Sequence, residues 1–225
     1  MIADNVRRVM ERIAAAAGRS GRSTAHIELV ASTKGRSLAE IDEAISAGVR
    51  TMGENRVQEA EVKYAHLKGR VRVHMIGHLQ RNKVKDALRI FDMIHSVDSL
   101  GLAEEIEKVG GRMGKAVPVL LEVNVSGEES KFGVKPEEIY PLLEKVAGMR
   151  AVRVEGLMTM SPIADNPEKV RPIFRRLREL AVEIERQAFP GVTMSQLSMG
   201  MTQDFEVAVQ EGATMVRVGT AIFGT

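Results

Sequence analysis

The sequence contains no cysteine and no tryptophan, and only two of its 225 residues are tyrosine. Without cysteine the protein can form no disulfide, use no thiolate nucleophile and build no cysteine-ligated metal site. We therefore expect a chain that works in a reducing, cytoplasmic compartment. Metal sites of other kinds are not indicated either, because the five histidines show no paired spacing with carboxylates.

An excess of charge and long apolar runs are also lacking. The 32 basic and 30 acidic residues leave a net charge of +2, so no strong field points to nucleic acid or to an anionic membrane surface. Arg81, Lys83, Lys85 and Arg89 have helical spacing without an aromatic platform, which favours a solvated helix face over a nucleic-acid patch. No apolar run approaches the roughly 20 residues of a membrane-spanning helix, and the charged N-terminal segment does not resemble a signal peptide.

What the sequence does contain is a repeated alternation of short apolar runs with amphipathic segments. Brief β-branched runs that end at small residues predict buried strands, and apolar residues three and four positions apart predict helices. The predicted strands are 27–32, 51–54, 72–76, 93–97, 117–125, 152–159, 194–198 and 214–219. The predicted helices between them are 37–48, 56–67, 80–88, 100–110, 136–147, 168–187 and 203–210. A further helix, capped by Asp4 and ending near Gly18, precedes the first strand.

This order predicts one α/β domain over residues 1–225, a (β/α)8 barrel (TIM barrel). Parallel strands need helical crossovers and are buried on both faces, which matches the continuous apolar runs. Eight such units close into a barrel, for which 225 residues suffice. A doubly wound open sheet is the alternative. We expect the extra N-terminal helix to cover the barrel surface that a missing last helix would leave open.

The carboxyl ends of the strands supply the working residues of a barrel. Lys34 follows the first strand, where a partly unprotonated lysine can form a Schiff base with an aldehyde, although a solvated loop lysine is the simpler interpretation of Lys34 alone. The last two strand ends carry Ser198, Gly200, Arg217, Gly219 and Thr220. Their N–H and hydroxyl groups suit a phosphate, although tight turns alone would also explain the glycines. A phosphate site opposite such a lysine predicts a ligand like pyridoxal 5′-phosphate (PLP), which carries both groups.

Eight segments support this interpretation. They are LVASTK (29–34), AGVRTMGEN (47–55), HMIGHLQRNK (74–83), VNV (123–125), SKFG (130–133), GLM (156–158), LSMGM (197–201) and VRVGTAIFG (216–224). In this order they resemble the PLP homeostasis proteins, the YggS/PROSC-type PLP-binding family. The sequence departs from the family where Gly35-Arg36-Ser37 replaces a second lysine and a proline, and it has His78 where the family alternates between proline and histidine.

The resemblance implies a barrel similar to the N-terminal domain of alanine racemase and a role in buffering or delivering PLP. The residues that it implies for PLP binding are Lys34, Asn55, His74, Met158, Ser198, Gly200, Arg217, Gly219 and Thr220. Lys34 would form the Schiff base and Arg217 would face the pyridine nitrogen. Asn55, His74 and Met158 would form pocket walls, and the other four residues would hold the phosphate.

An arginine beside the pyridine nitrogen favours a carrier over an enzyme. PLP drives carbanion chemistry when that nitrogen is protonated, and a charged arginine cannot accept its proton. A racemase also needs a second base, yet Tyr64 and Tyr140 fall within predicted helices. We therefore expect a monomeric PLP carrier without catalytic residues. We also expect it to contact PLP-dependent apoenzymes only transiently.

Two alternatives remain open. One is a small PLP-dependent racemase or lyase, and the other is a structural or nucleic-acid-binding module without a cofactor.

In the loop 127–133, Lys131 could accept an aldehyde during transfer, but an ion pair with Glu128 or Glu129 is the simpler interpretation.

Overall fold

Eight parallel strands close into one barrel in the computed structural model, which describes residues 1–128 and 131–224. The strands are β1 (Glu28–Ser32), β2 (Thr51–Glu54), β3 (Arg72–Met75), β4 (Met93–Val97), β5 (Val117–Glu122), β6 (Val152–Met158), β7 (Val192–Ser198) and β8 (Met215–Val218). They pair in chain order, and β8 pairs with β1 in register Val30 to Arg217. The predicted barrel is confirmed, and the open sheet is wrong.

Helices surround this sheet. They are α1 (Ile2–Arg19), α2 (Leu38–Ser46), α3 (Val57–Leu67), α4 (Val84–Ile90), α5 (Leu100–Met113), α6 (Ile139–Val146), α7 (Arg171–Gln187), α8 (Phe205–Gln210) and α9 (Thr220–Phe223). Short 3-10 turns at Arg81–Lys83, Pro136–Glu138 and Pro167–Val170 precede α4, α6 and α7, so three predicted helices begin as 3-10 turns. No helix in the described part of the chain is both long and apolar enough to cross a membrane.

Three local predictions differ from the structure. Asp4 does not cap α1, because the helix already begins at Ile2 and the Asp4 carboxylate lies in its first turn, 3.1 Å from Arg7. Strand β5 ends at Glu122 rather than at 125, because the Asn124 side chain accepts the N–H of Gly127 and turns the chain. Helix α9 was not predicted, since four residues are too few to show a helical period.

The barrel has two apolar cores. Side chains alternate along each strand, so one set points into the barrel and the other points to the helices. The inner core consists of Val30, Ile76, Met93, Leu120, Met158 and Met215. The outer core lies between the sheet and the helices and contains most of the buried apolar residues. Polar side chains that point into the barrel therefore lie among the apolar residues of the inner core, and the outer core lies on the other side of the sheet.

The N-terminal helix closes the outer surface as predicted. Helix α1 packs against α2, α8 and α9, burying Val6, Val9 and Ile13. The Asn5 side-chain amide donates to the Ile222 carbonyl oxygen at 2.8 Å, and the Arg12 guanidinium lies 4.5 Å from the centre of the Phe205 ring. Helix α1 thereby covers the outer surface beside α9, the short helix that follows β8.

Gly156 marks a close approach between β6 and β7. A Cβ at this position would lie 1.8 Å from the Gln196 carbonyl oxygen. We expect Gly156→Ala to lower the free energy of unfolding by at least about 2 kcal/mol, because backbone must move to make room. Gly111→Ala on α5, where the new methyl meets nothing within 4 Å, should raise it by about 0.5–1 kcal/mol. Urea unfolding measures both variants, and equal effects would contradict the packing described here.

Candidate functional site

Two adjoining cavities open at the carboxyl end of the barrel. The inner cavity, of about 310 Å³, is bounded by the ends of β1 and β8 and by the segments after β2, β3, β6 and β7. Its polar lining residues are Ser32, Asn55, Thr202, Gln203, Asp204, Arg217 and Thr220, together with Gly219. The outer groove, of about 660 Å³, lies between the segments that follow β1, β2 and β3. The inner cavity has the size of a small-molecule site.

The structure brings part of the predicted site together. Asn55, Arg217, Gly219 and Thr220 all line the inner cavity. Lys34 is exposed in the turn after β1 and lines the outer groove instead. Asn55 lines both cavities and therefore stands between the lysine and the other three residues.

The other predicted residues lie deeper. His74, Met158, Ser198 and Gly200 are buried, and none of them lines the inner cavity or the outer groove. Met158 belongs to the inner core, where Met160 packs against it and also reaches the inner cavity.

A chain of hydrogen bonds crosses the barrel interior beneath the inner cavity. The His74 and His95 rings are joined at 3.0 Å, and His95 Nδ1 lies 2.9 Å from the Ser198 hydroxyl. Arg217 Nη1 donates to that hydroxyl at 2.5 Å, and Arg217 Nη2 donates to the Thr159 carbonyl oxygen at 2.9 Å. Burial lowers the pKa of His74 to about 3 and holds the pKa of His95 well below its usual value, so both rings are neutral at pH 7. These hydrogen bonds fix the direction of the Arg217 guanidinium.

Arg217 brings a positive charge to the inner cavity. The side chain is 5% exposed, and burial lowers its pKa to about 10, with the Glu122 and Asp204 carboxylates acting in the opposite direction. The guanidinium therefore remains charged at neutral pH.

The turn after β7 is shaped by Gly200 and Asp204. Gly200 has a φ of +92°, and a Cβ there would lie 2.5 Å from the Ala208 Cβ, so this position requires glycine. The Asp204 carboxylate accepts the N–H of Met201 at 2.6 Å and the hydroxyl of Ser161. These contacts fix the segment from which Thr202 faces the cavity.

Thr202, Gly219 and Thr220 form a second part of the cavity lining, with hydroxyl and backbone N–H groups. The Thr202 hydroxyl accepts the N–H of Ala221 at 3.4 Å, which joins the segment after β7 to the start of α9. Gly219 and Thr220 lie at that start and line the same wall. Hydroxyl and backbone N–H groups beside a buried cation suit an anion such as phosphate.

A buried ion pair anchors the turn that carries Lys34. Lys63 Nζ donates to Glu54 Oε1 and to the Thr33 carbonyl oxygen, each at 2.7 Å. The Thr33 hydroxyl donates to the same Glu54 oxygen. Thr33 and Glu54 are fully buried and Lys63 is 8% exposed. Because Thr33 directly precedes Lys34, the pair fixes the backbone of the lysine while its side chain stays exposed.

The segment after β5 reaches towards the outer groove. The Phe132 ring stacks on His78 with centroids 4.0 Å apart, and His78 Nδ1 lies 3.1 Å from the Asp98 carboxylate. Lys131 forms the predicted ion pair with Glu128, at 3.5 Å. Glu129, the other predicted partner, and Ser130 of the SKFG segment lie outside the described residues.

Sequence patterns did not single out several residues of the site. Thr202 stands two positions beyond Gly200, so extending the predicted segment as far as the next helix would have found it. His95 and Lys63 carry no local signal, because the partners of His95 lie 21 and 103 residues away and those of Lys63 lie 9 and 30 residues away. Within residues 1–128 and 131–224, no group of three or more histidine and carboxylate side chains is placed to hold a metal ion.

Similarity to known proteins extends over the whole chain. A family model described as the N-terminal domain of alanine racemase matches residues 2–225. A pyridoxal phosphate homeostasis protein from Aquifex aeolicus is 46% identical over 222 residues, covering 98% of this chain and 96% of the relative.

Two solved structures are similar throughout. A crystal structure of a protein from Bifidobacterium adolescentis is 42% identical, with a TM-score of 0.93, over 99% of this chain and 94% of the other. The structure of PipY from Synechococcus elongatus with PLP bound is 34% identical, with a TM-score of 0.85, over 100% of both chains.

Glu122 adds a titrating carboxyl to the barrel interior. It ends β5, is 5% exposed and is influenced by both Asp98 and Arg217. Burial raises the pKa of Glu122 to about 7; Asp98 also raises it, whereas Arg217 lowers it.

This shift makes stability depend on pH in a defined direction. The unfolded carboxyl ionises near pH 4.5, whereas the folded one keeps its proton up to about pH 7. The stabilising contribution is therefore complete below pH 4.5 and is lost as the pH rises through 7. Between about pH 5 and pH 8 we expect the free energy of unfolding of the wild type to fall by about 2–3 kcal/mol relative to Glu122→Gln. Urea unfolding at several pH values tests this, and parallel profiles for the two proteins would contradict it.

Proposed function

The chain belongs to the family of pyridoxal phosphate homeostasis proteins, and from this premise we propose that it binds PLP at the carboxyl end of its barrel, holds it on Lys34 as a Schiff base, and buffers or delivers it. The observation that carries the proposal is the inner cavity, which is lined by the buried Arg217 together with Thr202, Gly219 and Thr220. Lys34 lines the adjoining outer groove, in the turn that follows β1.

The phosphate would lie against the wall formed by Thr202, Gly219 and Thr220, where donors face the cavity. Ser198 has a different role in this arrangement, because its hydroxyl accepts from Arg217 and contacts His95. Gly200 supports the same wall by permitting the turn before Thr202. We therefore assign Ser198 to orienting the arginine and Gly200 to shaping the wall.

Arg217 would face the pyridine nitrogen from the floor of the cavity. When bound, PLP supplies an electron sink for carbanions if that nitrogen carries a proton. Arg217 is charged and can only donate hydrogen bonds, so it favours an unprotonated nitrogen and a weak electron sink. This supports binding and release rather than turnover of amino acids.

Asp204 is the one carboxylate among the described residues that line the cavity, and its oxygens already accept the Met201 N–H and the Ser161 hydroxyl, so it does not stand free as a second base. Tyr64 lies on α3 and Tyr140 on α6, where the Tyr140 hydroxyl donates to Glu183 at 3.4 Å. Neither tyrosine lines the inner cavity or the outer groove. Glu122, whose pKa is near 7, is buried below the cavity lining.

We further propose that one domain over residues 1–225 is sufficient for this function and acts as a monomer. The ends of β1 and β8 and the segments after β2, β3, β6 and β7, all within this one barrel, line the inner cavity. PLP-dependent apoenzymes would then meet the open carboxyl end only transiently.

Addition of PLP to the purified protein should produce a visible absorbance band that Lys34→Ala abolishes. The amine of Lys34 supplies the nitrogen of the Schiff base, so borohydride reduction followed by peptide mass spectrometry should locate the adduct at this residue. Lys85→Ala, an exposed lysine on α4, should keep the full band. A wild-type protein without the band would refute the proposed function, and an adduct at Lys63 or Lys83 would refute the assignment of Lys34.

Incubation with a panel of amino acids in deuterated water separates a carrier from a racemase or lyase. We expect no α-deuterium uptake above the rate produced by free PLP, because the one carboxylate among the described lining residues does not stand free as a second base. Proton NMR follows the α-hydrogen, with an alanine racemase as the positive control. Uptake that depends on Lys34 would favour the enzyme alternative.

A further inference from the structure

Lys34 lies in a different cavity from the wall formed by Thr202, Gly219 and Thr220, which we call the donor wall. Lys34 lines the outer groove, Thr220 lines the inner cavity, and Asn55 lines both. The two cavities therefore adjoin at Asn55, with the exposed lysine in one of them and the donor wall in the other.

The outer groove has cations of its own. Arg56 follows β2 and Lys83 follows β3, and both line the groove together with Lys34. Glu59 is the one carboxylate among the lining residues, and it accepts the N–H of Gly35 at 3.3 Å. Three basic side chains against one acidic side chain leave the groove positively charged.

One carboxylate beside the groove is already engaged. His78 also lines the groove, and its ring lies 3.1 Å from the Asp98 carboxylate. That carboxylate is therefore engaged by the histidine rather than by Arg56 or Lys83. A small anion that enters the groove meets two side chains which can bind phosphate, next to a third that can react with an aldehyde.

We propose that the outer groove is a second anion-binding site, where a small phosphorylated aldehyde rests on Arg56 and Lys83 before it enters the inner cavity and after it leaves. The inference depends on the proposed function, because the same ligand occupies both positions. In this arrangement the amine of Lys34, which lines the groove, would serve both positions.

A resting site on the path has a kinetic signature that a final binding site does not have. Loss of its cations raises the free energy of the resting position and of the passage inward, but not that of the ligand in the inner cavity. The association and dissociation rate constants should then fall by the same factor while Kd stays constant. Exposed charges commonly change the association rate constant.

The test compares two double variants that each remove two positive charges. Arg56→Gln/Lys83→Gln changes the groove, whereas Lys85→Gln/Arg89→Gln changes exposed positions of α4 outside it. Stopped-flow absorbance measures the appearance of the Schiff-base band after mixing with PLP and its loss after dilution. For the groove variant we expect both rate constants to fall at least five-fold, with Kd within two-fold of the wild type and the control variant close to the wild type.

Each other outcome overturns the inference. Unchanged rate constants would show that the groove lies off the path, and faster dissociation with a weaker Kd would place Arg56 and Lys83 in the final site. Equal effects of the two double variants would show long-range attraction instead of a site. The absence of the band in the wild type would refute the proposed function itself, and the inference with it. Inorganic phosphate gives a second readout, since it should slow association in the wild type more than in the groove variant.

Discussion

The arrangement at the barrel mouth depends on keeping a charged guanidinium inside a closed sheet. Burying such a group is costly unless its N–H groups find acceptors. Arg217 extends from β8, the Ser198 hydroxyl comes from β7, and the Thr159 carbonyl oxygen follows β6. Because neighbouring strands supply these acceptors, the charge is tolerated only where the strands lie in this order. The same contacts leave the guanidinium beside the inner cavity with a fixed direction.

Separate cavities for the lysine and for the donor wall follow from the alternation of side chains. Ser32 and Asn55 point towards the barrel axis and line the inner cavity, whereas Thr33 points outward to Glu54 and Lys63. Lys34 comes after this outward residue, in a turn at the rim. Its backbone is held by a buried ion pair while its amine remains in contact with solvent. In the proposed function, Lys34 would capture the aldehyde in the outer groove, and the wall of the inner cavity would hold the phosphate.

Much of this architecture could be predicted from the sequence, because buried parallel strands are short, apolar and followed by glycine or polar residues. The same rule located Arg217, Gly219 and Thr220, which stand at or just beyond the end of one strand. The rule could not show that Ser198 and His74 are buried beneath the cavity instead of lining it. Their position depends on strand register and on a contact with His95. The roles of Lys63 and Thr202 depend on helix packing and on the segment after β7, which local patterns do not encode.

The contact between α1 and α9 also constrains the order in which the protein can assemble. Asn5 and Ile222 are joined by a hydrogen bond across 217 positions of the chain, and β1 needs β8 as one of its two neighbours. During synthesis helix α1, with its apolar stripe of Val6, Val9 and Ile13, can pack against α2 early, but it gains its contacts with α8 and α9 only after residues 205–223 have been added. Contacts of such long sequence separation form slowly. The outer core beside α1 can therefore be completed only after α8 and α9 have been synthesised, which makes this contact a late step of folding.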